Sequence, residues 1–267
     1  MEMRSVDVTP LLRLPRSVAQ TFTYRTEKEL SRGDIVVVRF RGKRVLGITE
    51  EVKNDAPERK TLPIESVLPY QLSATQLHLR EQLQLTYGAT KTLAGTTVVP
   101  SLLRRPPAAH EQYATRKDSA NTSALTDESL VTLVGTAPDP LHSAVVQYVR
   151  TIVRAGKQVL LLLPDHLSLA AARAKYEDAI IWDTTSPSRA TESWRSVVAG
   201  AAIVLGTRAA IFAPYRNLGA IVIIDAPSEL YRSRDAQPTY NCVTPARSIC
   251  RSMGTKLLLV QSQPTLV

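Results

Sequence analysis

The first part of the chain alternates short apolar, β-branched runs with turn signals. Strands are predicted over residues 6–8, 21–24, 34–40 and 44–52. The run 34–40 is rich in valine, and the Arg41-Gly42-Lys43 sequence that follows it is typical of a hairpin turn. The pattern therefore indicates a small all-β unit.

A helix is predicted to follow this β-rich part. Ser73 and Gln76 have the spacing of a capping box, which places the first turn of the helix there. The helix should continue to about Tyr87, before Gly88. Its expected buried residues are Leu77, Leu79, Leu83 and Leu85.

The hydrophobic pattern changes beyond residue 126, where predicted strands alternate with predicted helices. Aliphatic strands are predicted over residues 130–134, 158–163, 179–182, 202–205, 220–224 and 256–260, and helical spacing over 141–153, 166–176, 189–198 and 244–253. Continuous aliphatic strands separated by helices predict a parallel sheet covered on both faces. Residues 105–126, rich in Pro, Ala and mixed polar residues, are predicted to be a linker. The sequence thus predicts an α/β protein, with a small β-rich N-terminal domain (1–104) followed by a doubly wound parallel-sheet domain (127–267).

Composition limits the classes of protein that fit. The chain has 267 residues, of which 44% are hydrophobic and 21% charged, an ordinary globular balance with room for two domains. No apolar run approaches the ~20 residues of a membrane span, and the N-terminus does not resemble a signal peptide, so a cytoplasmic protein without a membrane partner is expected. Cys242 and Cys250 suit neither a disulfide scaffold nor a zinc site, and are predicted to be buried thiols.

The formal net charge is +9, and its distribution is uneven. The excess of cations lies in residues 1–126 and 207–267, which suits a polyanionic partner or a solvated basic face. The densest group is the predicted hairpin tip, formed by Arg39, Phe40, Arg41, Gly42, Lys43 and Arg44. Cations can meet phosphates, an exposed ring can stack on a base, and glycine allows close approach. Phe40 could equally be a core residue among solvated cations.

Residues 203–225 are the most distinctive part of the chain. They contain Gly206-Thr-Arg-Ala-Ala210, then Phe212-Ala-Pro-Tyr-Arg-Asn-Leu-Gly219, then an aliphatic strand that ends at Asp225. This order resembles the first, RecA-like helicase lobe of the PriA family of primosomal replication-restart helicases, and residues 156–164 match it as well. Residues 14–16, 22–24, 33–40 and 45–48 resemble that family's 3′-end DNA-binding domain. The resemblance covers about 1–104 and 130–267.

The resemblance implies which residues contact DNA. In the first domain they are Phe22, Thr23, Tyr24 and residues 39–44; in the second they are Arg208, Tyr231, Arg232 and Arg234, although a solvated loop would also explain the last three. The family places an acid where this chain has Thr23, which puts capture of a free 3′ end in doubt. We therefore expect branched or single-stranded DNA as partner, and other primosome or replication proteins as further partners.

The nucleotide site of the family is altered in this chain. The phosphate loop should lie between Gly135 and Ser143, but it has no lysine and contains Pro138 and Pro140, each of which removes an amide donor. Of the family's Asp-Glu-Glu-His only Asp225 remains. Gly135, Ser143 and Asp225 are thus a remnant, and no metal or cofactor is expected unless this site still binds ATP and magnesium. His142 in the remnant loop is expected to be a capping or exposed residue, because no partner for a general base is identifiable.

Three hypotheses follow from these observations. The family's second lobe, zinc insertion and winged-helix domain have no counterpart in these 267 residues, so the first hypothesis is a DNA-binding pseudoenzyme of replication restart without ATPase or helicase activity. The second is an ATP-binding 3′–5′ helicase component that takes its second lobe from another chain. The third is a protein scaffold without a nucleic-acid role.

Overall fold

The structure, a computed structural model, describes residues 3–53, 61–100, 130–134, 139, 142–234 and 237–263. The predicted linker lies outside these ranges, and so does Gly135. The domain limits therefore stay predictions.

The N-terminal unit is a five-stranded antiparallel sheet whose order is β2-β1-β4-β3-β5. Its strands are β1 (Arg4–Pro10), β2 (Phe22–Thr26), β3 (Asp34–Phe40), β4 (Lys43–Lys53) and β5 (Ser66–Gln71). The segment before β5 returns to the open edge of β2: the Arg25 amide donates to the Leu62 carbonyl, and the Ile64 amide donates to the Arg25 carbonyl, both at 3.0 Å. The sheet therefore closes on itself as a small barrel.

Both faces of the barrel wall are buried, because successive side chains of a strand point to opposite faces. Val36 and Val38 pack inside with Val6, Val8 and Tyr24. Ile35 and Val37 face outward, where two helices cover them, α1 (Ala74–Tyr87) and α2 (Lys91–Val98). The wall is closely packed: a Cβ at Gly47 would lie 2.3 Å from a Val8 methyl group.

The second unit is a six-stranded parallel sheet with the order β6-β11-β10-β7-β9-β8. Its strands are β6 (Leu130–Val134), β7 (Gln158–Leu162), β8 (Ile180–Ile181), β9 (Ile203–Gly206), β10 (Leu218–Ile224) and β11 (Lys256–Gln261). The helices are α3 (Ser143–Arg154), α4 (His166–Lys175), α5 (Pro187–Val198) and α6 (Val243–Met253), with 3₁₀ turns at Arg208–Phe212 and Glu229–Tyr231. Helices α3 and α4 pack on one face, and α5 and α6 on the other. This confirms the predicted α/β fold, a β-rich unit followed by a RecA-like parallel sheet.

Some elements differ from the sequence-based expectation. Strand β5 and helix α2 are additional to the predicted elements, and Leu85, expected in the core, is 79% exposed. Leu83 and Leu85 are two residues apart, which separates them by ~200° around a helix, so both cannot face one core. Leu83 packs inward, and Leu85 faces solvent. Both cysteines are buried thiols outside any disulfide bond, as predicted.

The two units are in direct contact through α1. The Gln76 amide donates to the buried Phe212 carbonyl at 2.8 Å. The His78 Nε2 lies 2.8 Å from the Ser248 hydroxyl and 3.0 Å from that of Ser252, both on α6. Leu79 and Leu83 belong to the same hydrophobic cluster as Ile249 and Trp194 of the second unit. One core therefore runs through both units.

Candidate nucleic-acid interface

The β3–β4 hairpin carries the group of cations singled out in the sequence. Phe40 pairs with Lys43 across a two-residue turn, in which Arg41 has φ 49° and Gly42 has φ 78°. Two successive left-handed residues make a turn that matches the twist of a hairpin. We call Phe22, Thr23 and residues 39–44 the barrel rim.

The aromatic side chains of the barrel rim are half-buried and in contact. The Phe22 and Phe40 rings meet edge to face, with centroids 4.8 Å apart. The Arg41 guanidinium lies 5.5 Å from the Phe40 centroid, within the range of a cation–π contact. Phe40 is thus neither a core residue nor a free ring, but one side of a small half-buried cluster.

Glu65 neutralises two of the four cations. Its two carboxylate oxygens accept hydrogen bonds from the Nε atoms of Arg39 and Arg44, both at 2.7 Å. Partial burial would raise the pKa of the Glu65 carboxyl, but the hydrogen bonds from these arginines outweigh burial and lower it. Arg41 and Lys43 are exposed, and neither makes an ion pair within the described ranges. They are the cations that remain open to phosphates.

Thr23 is exposed on β2 and has a carboxylate beside it. Its hydroxyl donates to Asp7 on the neighbouring strand at 2.6 Å, and the Lys53 ammonium donates to the same carboxylate at 3.0 Å. Burial would raise the pKa of Asp7, while these bonds and the Lys53 charge lower it overall. The carboxylate therefore stays ionised next to Thr23.

Two tyrosines proposed to contact DNA are buried, which corrects that expectation. Tyr24 is 4% exposed and donates to the Arg39 carbonyl at 3.1 Å, inside the barrel. Tyr231 is 0% exposed, and its hydroxyl bonds the carbonyls of Leu162 and Ile224 at 3.0 and 2.6 Å. A large ring with a satisfied hydroxyl is stable in a core, so neither ring is presented to a nucleic acid.

The three arginines of the second unit lie beyond the carboxyl ends of β9 and β10. Arg208 is half-buried and bonds the Leu230 carbonyl at 3.4 Å. Arg232 lies 3.6 Å from the Glu229 carboxylate, and Arg234 also pairs with Glu229. Both are exposed, and pairs of this kind are weak in water, so both side chains can exchange partners.

The remnant nucleotide site is only partly described. Asp225 follows β10 with φ 54°, a strained backbone for a residue other than glycine. Ser143 is the first residue of α3, and His142 is its N-cap, whose Nδ1 accepts a hydrogen bond from the Ala144 amide at 3.3 Å. The capping role expected for His142 is confirmed. It occupies an amide at the helix terminus that would otherwise face an anion.

The described residues show no sign of two other kinds of site. Within those ranges no group of three or more His, Cys, Asp or Glu side chains could hold a metal ion. None of the helices described is both long and apolar enough to cross a bilayer.

Glu65 carries no signal in the sequence for its place at the barrel rim. It lies more than twenty residues from either arginine that it binds, and only the β3–β5 pairing brings it to the barrel rim. An acid near a strand has no local signal for such a role, so the sequence alone could not identify it.

Comparisons with known proteins agree with this geometry. Residues 11–100 match the family model described as the 3′DNA-binding domain (3′BD) of PriA. The chain is 26% identical over 259 residues to the replication restart protein PriA of Rickettsia prowazekii, covering 89% of this chain and 40% of that protein. It is 27% identical over 128 residues to that of Haemophilus influenzae (45% and 17%), and 30% identical over 151 residues to the "Probable replication restart protein PriA" of Deinococcus radiodurans (53% and 16%).

The chain spans less than half the length of each of these relatives. The family match contains the barrel, α1 and α2, and the alignment with the Rickettsia protein extends over most of the chain, including much of the parallel sheet. Over most of its length the chain is therefore similar to the PriA replication restart proteins.

Proposed function

We propose that this chain binds DNA through the barrel rim and acts in replication restart without hydrolysing ATP itself. The observation that carries the proposal is the match of residues 11–100 to the 3′DNA-binding domain, within which the exposed Arg41 and Lys43 flank a half-buried aromatic pair. Branched or single-stranded DNA is the proposed substrate, and other replication proteins are the proposed partners.

The barrel rim supports a contact with both the backbone and a base. Phosphate oxygens would accept hydrogen bonds from Arg41 and Lys43, and the exposed part of the Phe40 ring offers a stacking surface. Glu65 holds Arg39 and Arg44 at the base of the hairpin, which fixes the positions of their side chains before DNA arrives. A fixed surface loses less side-chain entropy on binding.

The proposed lack of ATP hydrolysis rests on three features. The segment from Gly135 to Ser143 has no lysine and two prolines, and Ala226-Pro227 follows Asp225 where the family has two glutamates. The His142 side chain caps α3 where a phosphate would meet the helix terminus. Loss of the lysine or of the water-positioning acid costs several kcal/mol of transition-state stabilisation, on the order of a thousandfold in rate.

The DNA part is tested by fluorescence anisotropy with labelled single-stranded and forked oligonucleotides across a salt series. The variant Arg41→Gln/Lys43→Gln should bind roughly tenfold more weakly, with a salt slope smaller by about 0.7 to 0.9 for each lost phosphate contact. Arg150→Gln/Arg154→Gln, two exposed arginines one turn apart on α3, is the control and should bind like the unaltered protein. Salt-independent or absent binding by the unaltered protein would favour the scaffold hypothesis instead.

The competing proposal is an ATP-binding component completed by a lobe from another chain. The retained Asp225 at the end of β10 favours it, because a carboxylate there could hold magnesium. Equilibrium binding of a labelled ATP analogue with magnesium separates the two proposals. We expect no saturable binding; binding that Asp225→Asn abolishes would support the competing proposal.

A further inference from the structure

A groove of about 630 Å³ lies where the two units meet, between α1 and α6. One wall is a row along α1, His78, Gln82 and Thr86. The other is a row along α6, Thr244, Arg247, Ser248, Arg251 and Ser252. The helices are joined at one point of the groove by the His78 contacts to Ser248 and Ser252.

The lining of the groove is cationic and rich in hydrogen-bond donors. It contains two arginines, four hydroxyls, an amide and an imidazole, and none of its residues is acidic or apolar. The only acid on α1, Glu81, is bound to Arg32 at 2.5 Å. The His78 pKa is lowered by burial, which favours the neutral ring and leaves the arginines as the source of positive charge.

Among the residues that the structure describes, Arg247 has no partner that would explain its position. It makes no hydrogen bond or ion pair with any residue the structure describes, and its Nε is buried without an acceptor. A guanidinium held in a concave surface without a counter-charge is a site that an anion would stabilise. Arg251 lies one helical turn further along and is exposed in the same groove.

We propose that the α1–α6 groove binds the phosphate backbone of DNA, as a second contact apart from the barrel rim. The proposal rests on the proposed DNA binding of this chain and extends it to a surface shared by both units. Arginine, serine, threonine and glutamine side chains are the donors that position DNA phosphates, and all of them are present here. An acidic protein segment fits less well, because its affinity would need apolar anchor pockets that this lining lacks.

DNA in this groove would touch both units at once. One wall belongs to α1, within the match to the 3′DNA-binding domain, and the other belongs to the second unit. Removal of the groove cations should therefore weaken binding of long and forked DNA more than binding of an oligonucleotide too short to leave the barrel rim.

The test compares Arg247→Gln/Arg251→Gln with the control Arg150→Gln/Arg154→Gln, in the full chain. Both pairs have the same spacing and remove the same charge, and α3 lies on the opposite face of the sheet from α6. The groove variant should bind forked DNA roughly tenfold more weakly than the control, with a smaller salt slope. Equal affinity of the two variants, at equal thermal stability, overturns the proposal while leaving DNA binding at the barrel rim intact.

A second measurement does not depend on weakened binding. Thr86→Cys and, as control, the exposed Gln147→Cys on α3 are labelled with a thiol-linked photocrosslinker, since both native cysteines are buried. DNA should crosslink at position 86 and not at 147. Absence of crosslinking at position 86 would contradict the proposal. Poly-glutamate serves as the probe for an acidic protein segment. If Arg247→Gln/Arg251→Gln lost binding to poly-glutamate but kept its DNA affinity, this result would also contradict the proposal. If the unaltered chain fails to bind DNA at all, the proposed function itself has failed.

Discussion

At the scale of single residues, Glu65 controls how much positive charge the barrel rim presents. The carboxylate joins the ends of β3 and β4 by accepting from an arginine on each strand. It therefore balances two opposing requirements, a fixed hairpin and a surface attractive to phosphates.

Glu65→Gln tests this balance. The change removes one negative charge and releases Arg39 from its ion pair, so we expect DNA affinity to increase by roughly threefold and the salt slope to steepen. Anisotropy across a salt series measures both quantities. Glu177→Gln, an exposed acid beyond α4, alters net charge equally and is the control. An affinity below that of the control would mean that arginine positioning outweighs free charge.

At the residue scale, the sequence carries the least information about the candidate site. The cations of residues 39–44 could be found from their density, but the aromatic side chains could not be sorted by sequence. Tyr24 and Tyr231 are buried, whereas Phe22 and Phe40 reach the surface of the barrel rim. The difference depends on which carbonyls lie within reach of each ring, and these are set by tertiary packing.

At the scale of elements, a buried ion pair holds α1 on the barrel. Arg80 of α1 is 3% exposed and pairs with Glu50 of β4, which also accepts from the Thr9 hydroxyl on β1. Burial would raise the Glu50 pKa, but the Arg80 hydrogen bonds and charge lower it overall. The pair therefore links three elements around an ionised carboxylate.

Arg80→Met should leave this carboxylate buried without its partner and reduce the free energy of unfolding by about 3 kcal/mol. Urea denaturation measures the change. The double variant Glu50→Gln/Arg80→Met should recover part of the loss, because no uncompensated charge then remains. Equal stability of both variants would show that lost packing, not charge, is the cause.

The ion pair between Arg80 and Glu50 also makes the stability of the protein depend on pH. Because the folded-state pKa of Glu50 lies below its unfolded value, the pair stabilises the protein above about pH 4.5, and this contribution is lost as pH falls through the folded-state pKa. The stability difference between the unaltered protein and Arg80→Met should thus be largest near neutral pH and narrow in acid.

Most elements could be predicted from periodicity and caps. The capping box of Ser73 and Gln76 exists as expected, and α1 ends at Tyr87. The aliphatic runs of β7 and β10 are central strands, buried on both faces. Strand β5 was missed because Pro69 interrupts its apolar pattern, and α2 because its threonine-rich sequence has little helical preference.

At the scale of the whole molecule, the barrel and the parallel sheet should behave as one cooperative body. Interfaces between domains normally permit motion unless they are large and apolar. Here α1 carries a core that continues from the barrel wall to Trp194 and α6, and the Tyr70 and Trp194 rings lie 6.1 Å apart across the junction. A destabilising substitution in one unit should therefore also lower the stability of the other unit.

Val36→Ala tests this coupling. Val36 is fully buried inside the barrel, and its truncation should cost about 2 kcal/mol. Both tryptophans, Trp182 and Trp194, belong to the parallel-sheet unit, so their fluorescence reports on unfolding there. We expect the fluorescence and circular dichroism midpoints to move together to lower urea, whereas Leu85→Ala, at an exposed position, should leave both unchanged. The opposite outcome is a fluorescence midpoint that stays fixed while circular dichroism shows an earlier, separate transition. It would mean that the barrel unfolds alone, and that α1 only docks on the second unit without forming a common core with it.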